Sequence, residues 1–197
     1  MTTGVHEQGR ARAQLTALLD AHVATDEKER ADLAQMRTFA RTLKEPFSRT
    51  EPTAHFTGSA VVVSPDGARV CLVHHGKLNR WLQPGGHADP VDEGDMAKTA
   101  LREAAEETGM RVRLHPAVPD RPLDVDIHTI PARKSDAEHR HLDVRYLVLA
   151  EDPESLQHDP NESHGARWLS WDEAVALADE APLRRMLEKA REAVAIG

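Results

Sequence analysis

The chain has 197 residues, 40% hydrophobic and only 4% aromatic, with a formal net charge of -8, a size that supports one core with an appended subdomain rather than two full domains. The acidic balance excludes a nucleic-acid polymer as partner, because a phosphate backbone calls for a basic surface, and an anionic small molecule must then be met by metal or by local cations. No apolar run approaches a membrane span and Met1-Thr2-Thr3-Gly4-Val5-His6-Glu7 lacks a basic-then-apolar signal pattern, so the expectation is a soluble cytoplasmic protein with no membrane partner.

In chain order, Leu15, Leu18, Leu19 and Val23 recur at helical spacing. Leu33, Met36, Phe39, Ala40 and Leu43 do so again after an Asp26 and Glu29 capping pair, and the two sets predict a helical hairpin over residues 1–50. The stretch from Glu45 to Pro52 breaks the period and leads into a second unit, residues 51–197. Ser59 to Ser64, a Pro65-Asp66-Gly67 turn and Arg69 to His74 read as a β-hairpin. The lone Cys71 lies in its second strand, where it cannot form an internal disulfide and reads as a small buried hydrophobe. Further strands are expected at Leu123 to Ile130, Leu142 to Leu149 and Ala166 to Leu169. Two helices close the chain, one opened by the capping box Ser170-Trp171-Asp172-Glu173 and one with Pro182 in its first turn.

Between the hairpin and the later strands lies Arg102-Glu103-Ala104-Ala105-Glu106-Glu107-Thr108-Gly109. Residues three and four apart stack on one side of a helix, so Glu103, Glu106 and Glu107 share a small volume, and Arg102 can hold Glu106. Ala97, Ala100, Leu101, Ala104 and Thr108 make a narrow opposite face suited to close packing on a sheet, and Gly109 supplies a C-terminal cap. Clustered carboxylates repel one another unless a hard divalent cation draws their oxygens together. An acidic stripe on a solvated helix would use the same letters.

Gly85-Gly86, Glu93, Arg102-Glu103, Glu106-Glu107 and Gly109 resemble the Nudix box of the Nudix hydrolase superfamily, and Trp81-Leu82-Gln83-Pro84 is similar to the family's approach to its glycine pair. The resemblance covers roughly residues 55 to 195 and implies an α/β fold, a Nudix-type α/β/α sandwich with a mixed sheet, here preceded by the helical hairpin. It implies metal-dependent cleavage of the phosphoanhydride of a nucleoside diphosphate linked to another group, with Mg2+ as cofactor and Mn2+ as substitute. By the same resemblance Glu106 and Glu107 are the principal metal ligands, joined by Glu103 and a carbonyl of Gly85 or Gly86. Glu103 also orients or deprotonates the attacking water, and Arg102 completes the catalytic set. The stretch Gly86-x6-Glu93-x8-Arg102 is longer than the family pattern, and counting back from Arg102 lands on Gly94. Either Glu93 or Asp92 then serves as the first box carboxylate, from a loop enlarged by Asp89-Pro90-Val91.

A late loop offers Glu162 as a further catalytic carboxylate, with Asp143 and Glu138 as weaker alternatives. His75, Lys77 and Arg80 cluster where family members meet substrate phosphates, and His87 follows the glycines closely enough to touch substrate. Asp124, Asp126 and His128 alternate on one strand and His139, His141, Asp143 and Arg145 on the next, a candidate specificity wall. His128, His139 and His141 lack the close spacing of structural zinc, and solvated strand faces explain them more cheaply. Trp81, Trp168 and Trp171 read as packing anchors, so the base is not signposted. ADP-ribose or a nucleotide sugar is the first substrate expected, then nucleoside triphosphates or dinucleoside polyphosphates. Two other classes compete: a noncatalytic nucleotide sensor or regulator, which would tend to lose the box glutamates, and a prenyl-diphosphate isomerase, which would need a cysteine where Gly85-Gly86 stands. The N-terminal helices read first as a brace, with a lid or a homodimer surface as alternatives.

Overall fold

The computed structural model describes residues 3–132, 137–161 and 163–196, and its centre is an eight-stranded mixed sheet between two helical layers. The middle strand, β1 (Ala54–Val63), runs parallel to β7 (His139–Ala150). On its other edge β1 pairs antiparallel with β2 (Arg69–His75) through Val62 and Val63, and with β4 (Gly85–His87) through Thr57, Gly58 and Ser59. Outside β2 lie β3 (Arg80–Leu82) and β8 (Ser163–Ser170). Outside β7 lie β5 (Val112–Leu114) and β6 (Asp124–Ile130). The hairpin of β1 and β2 and the strands β6, β7 and β8 answer to the sequence pattern, whereas β3, β4 and β5 have three residues each, too few for alternation to register.

Alternation along the central strands explains the layers. Ala54, Phe56, Ala60 and Val62 of β1 and Leu142, Val144, Tyr146 and Val148 of β7 form one core with the helices α1 (Thr3–Ala21), α2 (Glu27–Thr42) and α3 (Met96–Thr108). On the opposite face Val61, Val63, Val70, Leu72 and Leu147 pack against α4 (Trp171–Leu177) and α5 (Ala181–Ile196), through Leu183, Met186, Leu187 and Ala190. Earlier in the same strands this second face carries His55, Thr57 and Ser59 of β1 and His139, His141 and Asp143 of β7, and here it opens into a groove. The fold thus spends its polar strand residues on one end of one face.

The N-terminal hairpin shares the first core through Leu15, Leu19, Leu33, Met36 and Ala40. Asp26 caps α2 by accepting from the Glu29 backbone N–H at 2.7 Å. The Glu29 side chain does not complete a reciprocal cap; it is fully buried and accepts from His22 Nε2, Thr25 N and Lys189 Nζ at 2.8, 2.7 and 2.6 Å. Asp32 accepts from Ile127 N at 3.0 Å, so the acidic side of α2 covers the outer edge of β6. Val23 departs from its expected place: α1 ends at Ala21 and Val23 stands 79% exposed in the turn. Cys71 is buried among aliphatic neighbours, and desolvation pushes its thiol up to about 12. Among the described residues no helix is long and apolar enough to cross a membrane.

Candidate metal and diphosphate site

Helix α3 begins at an Asp95 cap, which accepts from Ala97 and Lys98 N–H groups, and ends at Gly109 in the left-handed conformation. Its Met96, Ala100 and Ala104 are buried against the sheet, where Gly58 permits a close crossing: a Cβ there would fall 2.7 Å from the Met96 carbonyl oxygen. That approach sets Glu103 and Glu107 against the glycine pair. The Gly85 N–H donates to Glu107 Oε1 at 3.1 Å. At Gly86 a Cβ would sit 2.6 Å from the Glu103 carboxylate, so only glycine lets this acid lie on the strand. Glu106, one turn along from Arg102, is 59% exposed at the groove mouth.

Arg102 ties the acids together. Its Nη1 donates to Glu103 Oε1 at 3.0 Å and Glu106 Oε2 at 2.9 Å, while Nη2 donates to the His87 carbonyl and to Asp92 Oδ2, each at 2.8 Å. The Asp92 carboxylate, itself pulled low by Arg102 against the cost of burial, keeps that guanidinium firmly protonated. Of the two carboxylates left open by the sequence, Asp92 is the one that reaches Arg102. Asp92 is 2% exposed and also accepts from Thr99 Oγ1 and Asp89 N, whereas Glu93 is on the surface, in left-handed backbone (φ 56°), paired with Lys98. Asp89-Pro90-Val91 leads through a compact 3-10 turn to Asp92, and Glu93 and Gly94, both in left-handed backbone, form the turn into α3.

The groove has two adjoining parts of about 520 and 620 Å3. Gly85, Gly86, Arg102, Glu103, Glu106, Glu107 and Asp143 line the first, and His75, Lys77 and His87 line both. Arg80, expected at the phosphates, instead pairs with Glu180 near the start of α5 and does not line the groove. Glu162 and the segment 133–136 lie outside the described residues. Glu138, an alternative to Glu162, does not line the groove, while Asp143 does. Asp143 is buried and accepts from Thr57 Oγ1, Ser59 Oγ and Arg145 Nε at 3.1, 2.8 and 2.9 Å. Arg145 also reaches Asp124 and Asp126, so Asp124, Asp126, Asp143 and Arg145 form a buried ionic lattice rather than a solvated strand face.

A family model of the NUDIX domain matches residues 54–190. The chain belongs to the Nudix hydrolase family. A curated relative from Lactococcus lactis subsp. cremoris (strain MG1363), named a probable DHNTP pyrophosphohydrolase, is 29% identical over 113 residues, covering 54% of this Nudix chain and 61% of its own. The solved NUDIX-family hydrolase from Clostridium perfringens is similar at 25% identity and a TM-score of 0.50, over 72% of this chain and 97% of that one. A solved UDP-X diphosphatase, at 17% identity and a TM-score of 0.50, covers 97% of this chain and 93% of its own, so its likeness in fold takes in the helical hairpin as well as the Nudix sheet.

Sequence reasoning missed Arg49 and His55 among the groove residues. Arg49 sits in the connector, where nothing distinguishes it from a solvated arginine, yet it lines both parts of the groove. His55 lies at the start of β1 and is 1% exposed, its ring 5.0 Å from those of His87 and His139 and 4.9 Å from that of His141. The ring nitrogens of His55 and Nε2 of His141 have no hydrogen-bond partner among the described residues, a situation that costs about 1–3 kcal/mol per buried group. Desolvation, reinforced by neighbouring positive charge, lowers His87 to about 4 and His141 further. Burial also lowers His55, against the Glu51 backbone, which acts from outside hydrogen-bond geometry.

Proposed function

We propose that this chain is a metal-dependent pyrophosphohydrolase that cleaves the phosphoanhydride of a nucleoside diphosphate linked to another group. The observation that carries the reading is the convergence of Glu103 and Glu107 on the glycine pair at one end of a groove, with Glu106 at the mouth of the same groove and Arg49, His75 and Lys77 along it. Several carboxylates beside a glycine pair suit a hard divalent cation such as Mg2+, or Mn2+ in its place. Glu106, Glu107 and Glu103, with a Gly85 or Gly86 carbonyl, would hold it. When bound, the ion supplies charge neutralisation at the phosphate oxygens and a more acidic water.

The remaining work falls to the chain itself. Glu103 takes a proton from the attacking water, and its orientation is set by Arg102, which is in turn anchored by Asp92. Arg49 and Lys77 meet phosphate charge, and neutral His87 can donate to or accept from a phosphate or sugar oxygen. Glu162 remains a proposed additional carboxylate from the late loop. ADP-ribose or a nucleotide sugar is the first substrate proposed, because the two adjoining parts of the groove offer room on both sides of a diphosphate.

The test is a panel of ADP-ribose, a UDP-sugar, ATP, diadenosine tetraphosphate and dihydroneopterin triphosphate with magnesium, scored by phosphate release in the presence of a coupled phosphatase. Turnover of at least one is expected. Turnover of none would end the hydrolase reading, and turnover confined to the triphosphates would end the nucleotide-sugar assignment.

A further inference from the structure

We propose that His55, His139 and His141 form a second metal site on the groove wall, separate from the carboxylates of α3, that takes a borderline transition ion such as zinc. One nitrogen from each of the three lies within 4.8 Å of the others. Zinc held at the usual Zn–N length would bring them to about 3.4 Å, so the nitrogens need close by at most about 1.4 Å. The parallel pairing of β1 with β7 places His55 directly opposite His141, and His139 follows on the same face of β7. Strand register therefore builds a cluster that sequence spacing hides, and the third member is His55 rather than His128.

Each ring is prepared for a ligand in its own way. His139 Nδ1 lies 2.8 Å from the Ala137 carbonyl, which can only accept; the proton must sit on Nδ1, leaving Nε2 as a lone pair. His141 Nε2 and the ring nitrogens of His55 are buried with no hydrogen-bond partner among the described residues, an arrangement that buried polar atoms normally avoid. All three line the 620 Å3 part of the groove, so a three-histidine set leaves a further coordination position toward the groove. His87, with its ring 5.0 Å from His55 and 4.9 Å from His141, stands beside that position. Nitrogen donors alone favour zinc, cobalt, nickel or copper over magnesium, which separates this site chemically from the oxygen-lined one.

Metal binding by the histidines is independent of hydrolysis at the carboxylates. Full-length protein stripped with chelator is titrated with Co2+ and followed by its visible d–d absorption, and Zn2+ retained after gel filtration is measured by elemental analysis. Wild type is expected to bind one equivalent with the intense absorption of a low-coordinate nitrogen site, and Glu107→Gln to do the same. His139→Gln, at a partly exposed position that should spare the fold, and His139→Gln/His141→Gln, checked by circular dichroism, are expected to bind at least about tenfold more weakly. Equal binding by wild type and the folded His139→Gln protein, or loss of the signal in Glu107→Gln alone, would overturn the proposal. Failure of the substrate panel would leave these readouts untouched.

Discussion

The two ends of the groove are assembled by opposite means. At one end, a single thirteen-residue helix carries Arg102, Glu103, Glu106 and Glu107, so local periodicity alone brings the acids together. At the other end, His55, His87, His139 and His141 come from three strands, and only the pairing of β1 with β4 and β7 gathers them. A helical constellation tolerates distant change as long as its helix forms, whereas a strand-built one depends on register, in which a one-residue slip would turn every member to the other face.

Breaking the helical end should have the largest effect. Glu103→Gln keeps the shape of the side chain but removes its basicity, and is expected to lower kcat about 10^2–10^4-fold with little change in melting temperature. Steady-state rates beside a thermal melt check this, and a fall in melting temperature large enough to explain the loss would assign Glu103 to stability instead. Gly86→Ala comes next. Its methyl would meet the Glu103 carboxylate at 2.6 Å, and a displacement of that order is expected to cost about 10^2-fold in rate while leaving the fold intact.

A third change sharpens the distinction between the helix and what supports it. Asp92→Asn leaves Arg102 without its buried counter-charge and is expected to cost about 3–5 kcal/mol in denaturant unfolding. Glu93→Gln, on the exposed pair with Lys98, should stay within about 0.5 kcal/mol of wild type. If the two variants behaved alike, the assignment of Asp92 as the first box carboxylate would be wrong.

The smallest effect concerns the ionic lattice that ties the N-terminal hairpin to β6 and α5. Burial alone would raise Glu29, but hydrogen bonds from His22, Lys189 and Thr25 outweigh it and hold the carboxyl below its ordinary range. A folded-state value below the unfolded one gives a contribution that is fully present above about pH 4.5 and lost as pH falls below it. Glu29→Gln is therefore expected to be less stable than wild type by about 1–3 kcal/mol at pH 7, with the gap narrowing toward pH 3. Melting curves across that range test it, and a gap that widened on acidification would reverse the sign of the argument.

The legibility of the molecule follows the same division. The carboxylate helix, the first hairpin, the late strands and both closing helices were readable because each writes its pattern in consecutive residues. The choice of Asp92 over Glu93 was not, because it rests on which of two adjacent acids a 3-10 turn directs inward. Nor was the role of Arg145, which binds three aspartates from two strands, or that of His55, whose partners lie far along the chain in β7. Arg80 shows the converse: it sits at the expected place in sequence, and Glu180 draws it away.

The most direct test of the central claim is the initial rate of diphosphate cleavage by Glu107→Gln against wild type, on the best substrate of the panel at saturating magnesium. The account predicts a loss of about 10^2-fold or more, with the melting temperature preserved, because Glu107 is proposed as a metal ligand. An unchanged rate would contradict it.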